Sequence, residues 1–292
     1  MTVQQAIDLG IGELTKAHTH DPEGCANFLL RHVLDESLEQ ITLVEPGRQL
    51  TKEQEKKYRD MLLRRKLREP VWYITNEAFF WHDPFYVDGR VLIPRPETEL
   101  LVETVLDFVK QSLPKRSRVI DVGTGSGAIA ISLFKELRTL DAVDTFYASD
   151  VSPEAIEVAK RNAGILDVPD IQFLIGDALE PLKKKVDLII GNPPYVPTET
   201  VGGLSYDIHH FEPRVALDGG KDGLDIHRKI LKQAKTKLKQ GGAIFLEIGH
   251  DQGNACKKIA QEVFPEAQIT ILKDYDANDR ILSLRLISSP LR

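Results

Sequence analysis

Cysteine is scarce in this 292-residue chain: Cys25 and Cys256 are the only two, far apart and with no metal-ligand spacing around them. That leaves a disulfide framework or a zinc site without support and fits a reducing cytoplasm. Long apolar runs are missing too. No stretch approaches the about 18 apolar residues of a membrane span, and Met1 to Leu14 lack the basic start and apolar core of a secretion signal. A cytoplasmic chain without membrane attachment is expected. Positive charge is in deficit, with 38 Lys and Arg against 44 Asp and Glu and a formal charge of -6. Such a balance disfavours attraction to a phosphate backbone, so no direct nucleic-acid partner is expected.

What is present is the material of a folded core: 42% hydrophobic and 28% charged residues, the profile of a soluble globular protein. The length exceeds the about 100 to 200 residues of one domain, which predicts a catalytic domain with a smaller companion.

From Val3 to about Leu67 apolar residues recur at helical spacing: Ala6, Ile7 and Leu14, then Phe28, Leu29, Val33 and Leu34, then Tyr58, Met61, Leu62 and Leu67. Asp21-Pro22 reads as the cap of a second helix, Glu45-Pro46-Gly47 as a turn, and Thr51 to Gln54 as a capping box. A small helical bundle over residues 1–75 is predicted. Two aromatic stretches, Phe79-Phe80-Trp81 and Phe85-Tyr86-Val87, flank His82-Asp83-Pro84 and predict a hairpin. With the extended Ile93-Pro94-Arg95-Pro96 it forms a linker over residues 76–96.

Residues 97–292 then alternate between helices and short apolar runs: Arg118 to Val122, Phe146 to Ser149, Ile171 to Ile175, Val186 to Ile190 and Ala243 to Ile248. This predicts an α/β fold with a mostly parallel, doubly covered sheet and ligands beyond the carboxyl ends of its strands. Ile269 to Leu272 and Ile281 to Leu286 read as an antiparallel pair at the edge.

Val119 to Val122 leads directly into Gly123-Thr124-Gly125-Ser126-Gly127 and then into the helical Ala128-Ile129-Ala130-Ile131. A strand, glycine loop and helix in that order let the backbone approach a ligand and offer free amides. Asp150, at the end of the next strand, stands where a carboxylate can accept from ribose hydroxyls. No Lys-Ser or Lys-Thr follows the glycines, which disfavours a phosphate loop, while nicotinamide and methyl-donor cofactors both remain open. Asp177 and Ala178, after the third strand, can reach an adenine or form an ordinary turn.

The fourth strand ends in Gly191-Asn192-Pro193-Pro194-Tyr195. Two adjacent prolines donate no backbone hydrogen bonds, so the segment is stiff and presents acceptors. The Asn192 side-chain oxygen and the Pro193 carbonyl suit a planar NH2 group, and Tyr195 offers a packing face.

With these residues the chain resembles the glutamine amide methyltransferases of peptide chain release factors, within the wider Asn-Pro-Pro-Tyr group of amino-methylating enzymes. The resemblance takes in the helical N-terminal part, Leu92 to Glu99, Asp121 to Ala128, Asn192 to Tyr195 and Phe211 to Leu217. It implies a Rossmann-like class I methyltransferase domain that uses S-adenosylmethionine and acts, as a monomer, on release factors. It implies cofactor contacts from Gly123, Thr124, Gly125, Ser126, Gly127, Asp150, Asp177, Ala178 and Asn192. It also implies that Asn192, Pro193, Pro194 and Tyr195 hold the substrate glutamine, with Asn192, Pro193 and Tyr195 carrying the catalysis. A ribosomal-protein glutamine and a DNA adenine are the alternative acceptors, the latter disfavoured by the acidic composition. Arg95 to Glu99 reads equally as a cofactor contact and as a helix start, Glu212 as a pocket loop or a surface turn. The basic Arg64, Arg65, Lys66 and Arg68 read as a solvated helix end, with contact to a partner as the alternative.

Overall fold

The computed structural model describes residues 1–36, 45–112 and 116–286, and the part of the helical reading that falls on residues 37–44 lies outside them. The chain divides into two compact units, Met1–Glu77 with Ser205–Phe211, and Ala78–Leu204 with Glu212–Arg292.

In the first unit α1 (Val3–Lys16), α2 (Pro22–Leu34), α3 (Lys52–Lys66) and the short α4 (Val71–Thr75) enclose an apolar core. Thr2 and Thr51 open α1 and α3 with capping boxes completed by Gln5 and Gln54, and Asp21 accepts from the Gly24 amide at the start of α2. The i, i+3 and i, i+4 spacing places Ala6, Leu14, Leu29, Leu30, Met61 and Leu62 inside. Burying each of the larger side chains contributes about 1.5–3 kcal/mol. Tyr58 is also buried, and its hydroxyl donates to the Ala26 carbonyl at 3.2 Å.

The basic end of α3 is not a solvated tail. Arg65 is buried and donates to the Glu69 carbonyl at 2.9 Å and to Asp207 at 3.0 Å, while Arg68 takes the other Asp207 oxygen at 2.9 Å. Arg64 pairs with Glu69 at 2.6 Å and Lys66 with Glu13 at 2.6 Å. Asp207 lies on the short helix Tyr206–Phe211, where Tyr206 stacks on His210 with ring centroids 3.9 Å apart. Nothing local in the sequence links residues 65 and 207.

The second unit opens with a hairpin of β1 (Ala78–Phe80) and β2 (Asp83–Phe85), in register Phe80↔Asp83. Its turn is Trp81-His82, with Trp81 at φ 58°, so Asp83 and Pro84 belong to the second strand rather than to the turn expected from proline. After a 3-10 turn at Pro96–Thr98 follow α5 (Glu99–Ser112), β3 (Ser117–Val122), α6 (Ala128–Thr139), β4 (Val143–Asp150), α7 (Pro153–Ile165), β5 (Ile171–Ile175) and β6 (Val186–Gly191). The chain ends in α8 (Asp225–Lys237), β7 (Leu238–Glu247), α9 (Gly253–Val263), β8 (Gln268–Lys273) and β9 (Asp279–Arg285).

The seven strands lie in the order β5-β4-β3-β6-β7-β9-β8. All pairings from β5 to β7 are parallel, and β9 runs antiparallel to both β7 and β8. Period-two alternation divides the strand residues between two cores. Val119, Leu188 and Phe245 pack with α5 and α6, whereas Ile120, Ile189 and Ile244 pack with α8 and α9.

Strand order reverses between β3 and β6, so the loops leaving these neighbouring strands diverge and a crevice opens beyond their carboxyl ends. The glycine loop follows β3 and Asn192 follows β6. Gly191 has no room for a side chain, since a Cβ there would lie 2.5 Å from the Val122 carbonyl oxygen. That close approach is what brings the two motifs together.

Candidate active site

A cavity occupies this crevice. Its walls include Gly123 to Ser126, Asp150, Asp177, Ala178, Asn192, Pro193 and Pro194, together with Phe80 and Arg90 to Thr98 residues from the segment before the sheet. Pro213, Val215, Ala216 and Asp218 contribute a further wall. Glycine loop, Asp150 and Asn-Pro-Pro therefore share one space. Gly127 and Tyr195 are the two predicted site residues outside its lining.

The loop is held from both sides. The Gly123 and Thr124 amides donate to the Ser149 carbonyl at 2.8 and 3.0 Å. Positive φ at Gly123, Gly125 and Gly127 produces the tight path, and at Gly127 a Cβ would crowd Ala159 at 3.2 Å. Asn162, fully buried on α7, donates to the Ser126 carbonyl at 2.8 Å and to the Tyr86 carbonyl at 2.9 Å while accepting from the Tyr86 amide at 2.7 Å. It ties the loop to the segment after the hairpin, a role that no local sequence pattern announces.

Asp150 accepts from the Gly125 amide at 2.9 Å and from the Ser152 amide at 2.9 Å. A carboxylate has about four lone-pair sites, so acceptor capacity remains for a ligand. Burial pushes its pKa up, and the amides of Ser152, Gly125 and Val151 work against that rise. Asp121 is fully buried behind the loop, accepts from the Thr124 hydroxyl at 2.7 Å, and is pushed by burial to about 7. The Asp150 carboxylate, which lines the cavity, favours a cationic ligand group over an anionic one. Asp177 is half exposed, and its carboxylate pairs with Lys229 at 2.6 Å.

On the other wall, Asn192 Nδ2 donates to the Thr98 hydroxyl at 3.1 Å, and its Oδ1 accepts from none of the described residues. The amide thus offers its acceptor end. Tyr195 lies outside the cavity lining, and its hydroxyl donates to Glu247 Oε1 at 3.3 Å. Gln252, buried after β7, donates to the Tyr195 carbonyl at 2.8 Å and accepts from the Gly249 amide at 2.8 Å. Glu212 is buried rather than part of a surface turn, accepting from Arg95 and from the Ile93 amide at 3.3 Å. It clamps the wall formed by residues 90–98 to the one formed by residues 213–218. Thr98 lies within the Arg95 to Glu99 run, whereas Glu247 and Gln252 carry no motif that singles them out in sequence. Only their partners do.

Residues 96–207 match the methyltransferase small domain family, and residues 5–75 match the PrmC N-terminal domain. The release factor glutamine methyltransferase of Bacillus cereus is 36% identical over 264 residues, covering 89% of this chain and 91% of its own length. That of Cereibacter sphaeroides is 34% identical over 98% of this chain and 99% of its own. Among solved structures, a methyltransferase from Pyrococcus furiosus has a TM-score of 0.50 at 17% identity, covering 70% of this chain and 89% of that one, a likeness of fold. With two relatives above 30% identity along nearly their whole length, and with the glycine loop and Asn-Pro-Pro facing one cavity, the chain belongs to the release factor glutamine methyltransferase family.

Proposed function

We infer that this chain transfers a methyl group from S-adenosylmethionine to the side-chain amide nitrogen of the glutamine in the Gly-Gly-Gln segment of peptide chain release factors. The observation that carries the reading is the polarity of Asn192. Its NH2 is committed to Thr98, so its Oδ1 is left to accept on the wall facing the glycine loop.

The residues present fit the cofactor. Asp150 keeps lone-pair capacity for ribose hydroxyls and its carboxylate faces the cavity, where it favours a sulfonium, and the loop is bare of side chains at Gly123 and Gly125. S-adenosylmethionine supplies, when bound, an electrophilic methyl group. Ala178 provides a small neighbour for the adenine, while Asp177 must exchange its bond to Lys229 for one to the adenine amino group.

An amide nitrogen is a poor nucleophile because its lone pair is shared with the carbonyl. Asn192 Oδ1 and the Pro193 carbonyl act by accepting the two amide hydrogens, which orients the nitrogen and favours localisation of its lone pair. Pro194 stiffens this grip. Tyr195, held through its hydroxyl by Glu247 and through its carbonyl by Gln252, fixes the end of the segment and can turn only its ring face toward a substrate. The amide proton leaves after transfer, so no side-chain base is needed beside Asn192.

The test is direct. Purified protein is incubated with methyl-labelled S-adenosylmethionine and separate pools of release factor, ribosomal protein, DNA and RNA. Label on the Gly-Gly-Gln glutamine, located by mass spectrometry, is the expected result. Label on a ribosomal protein or on DNA instead would overturn the substrate assignment.

A further inference from the structure

The end of the cavity assigned above to the adenine is shaped by a turn that its own sequence does not favour. Ala178 lines the cavity at φ 53°, and the Glu180 amide donates to the Asp177 carbonyl at 3.1 Å, which makes Ala178 the first central residue of a tight turn. A positive φ at that position normally calls for glycine or asparagine, and an alanine there is strained. Three side-chain bonds bracket it. The Ser149 hydroxyl donates to the Ala178 carbonyl at 3.0 Å. Gln233 Oε1 accepts from the Leu179 amide at 2.7 Å, and its Nε2 donates to the Asp177 carbonyl at 3.4 Å. The two ends of one side-chain amide thus grip the residues on either side of the strained one.

Gln233 belongs to a stripe. On α8, Lys229, Gln233 and Lys237 recur every four residues, which sets them on one face of the helix. Lys229 holds the Asp177 carboxylate at 2.6 Å and Lys237 donates to the Leu182 carbonyl, so the segment from Asp177 to Leu182 is strung along this helix. Ile226, one turn before Lys229, lines the cavity itself. We propose that Gln233 is a positioning residue for the cofactor, holding the Ala178 turn in the shape that accepts the adenine. The proposal rests on the methyl-donor reading only for the identity of the ligand.

Lys229 and Gln233 have different parts. The ion pair is released when Asp177 turns to the adenine amino group, whereas Gln233 bonds only to backbone and goes on holding the turn. Leu179 is fully buried, so without Gln233 its amide is either left unpaired or drawn into a reshaped turn. Relaxation of Ala178 to negative φ is the available escape, and it re-aims Asp177. The strain sets the size of the effect. Losing the brace should weaken cofactor binding about 5-fold to 30-fold, part of the penalty of a positive-φ alanine, because Ser149 still holds one carbonyl.

The test uses Gln233→Met, which keeps the length and helix propensity of the side chain and removes both polar ends. In the protein alone, amide exchange at Leu179 is followed by NMR and should be faster in Gln233→Met than in the parent; equal rates would overturn the proposal. Calorimetry with S-adenosylhomocysteine should show the expected loss of affinity. Steady-state kinetics should place it in KM for S-adenosylmethionine, with kcat and KM for the release factor within about twofold of the parent. Parental affinity, or a loss confined to kcat, would overturn it as well. The decisive comparison repeats the substitution in an Ala178→Gly background. Glycine takes a positive φ without strain, so there Gln233→Met should cost less than about threefold in affinity. An equal loss in both backgrounds would mark Gln233 as a general support of the helix and overturn the positioning role. Faster Leu179 exchange in Gln233→Met, with a parent that binds no S-adenosylhomocysteine, would uphold the brace and count against the methyl-donor reading alone.

Discussion

Asn192 and Thr98 stand 94 positions apart in the chain, yet the Asn192 NH2 donates to the Thr98 hydroxyl at 3.1 Å. The bond leaves one polar atom of that amide for the substrate. Asn192→Ala should therefore lower turnover by about 100-fold to 1000-fold, the range for losing one preorganised polar contact. Circular dichroism should show an unchanged fold, and calorimetry should show most of the cofactor affinity retained. A variant that methylates at near-parental rate would contradict the assigned role.

Asp150 offers a test of the cofactor side. Its carboxylate both pins the Gly125 amide and faces the cavity, so Asp150→Ala removes a ligand contact and loosens the loop. Hydrogen bonds to charged groups are worth about 1.5–3 kcal/mol, which corresponds to a loss of about 10-fold to 150-fold in affinity. Calorimetry with S-adenosylhomocysteine measures it, and unchanged affinity would refute the ribose assignment.

Asp207→Ala tests the first unit. It strands Arg65, which is buried and whose Nε already has no partner among the described residues. Removing one member of a buried ion pair costs about 3–5 kcal/mol, somewhat less here because the Glu69 carbonyl still accepts from Arg65. A lower Tm and faster proteolytic cutting within residues 205–211 are expected. A variant as stable as the parent would show that the pair is replaceable by water.

The fourth prediction concerns pH. Asp121 is raised from an ordinary carboxylate value near 4 to about 7 by burial, so between those two values the folded protein holds a proton that the unfolded chain has released. Its contribution to stability is full below the lower value and is lost as pH rises toward the higher one. Parental Tm should fall as pH is raised from about 5 to about 7.5, and Asp121→Asn should remove part of that fall. The slope is compared by calorimetry in matched buffers. Equal slopes would place the titrating group elsewhere.

Much of this site was legible because its signals are local. Gly123 to Gly127 must bend within five residues, and Pro193-Pro194 must be stiff in any context, so both could be read along the chain. The strand alternation around Val119, Ile120, Leu188 and Ile189 likewise announced a sheet covered on both faces. What could not be read is partnership at a distance. Arg65 looked like part of a solvated helix end because its carboxylate is 142 positions away. Glu212 reads as a pocket loop with a surface turn as the alternative, and only its bonds to Arg95 and the Ile93 amide, 117 and 119 positions away, decide between them. The hairpin turn differs for another reason: proline usually marks the turn itself, but Pro84 sits on a strand with no other partner on its far side to require its missing N–H.

The run of two prolines after Asn192 has a further effect once the amide is held as proposed. A pair of acceptors counts hydrogens. A primary amide brings two and satisfies both Asn192 Oδ1 and the Pro193 carbonyl, whereas a carboxylate brings none and meets two oxygens with its own negative charge. Glutamate in place of glutamine should thus be turned away at the mouth. The same count works against the product, since a nitrogen carrying one methyl keeps a single hydrogen and leaves one acceptor unpaired, a loss of about 1–3 kcal/mol when buried. Addition then stops at one methyl, and the site lets go of what it has made.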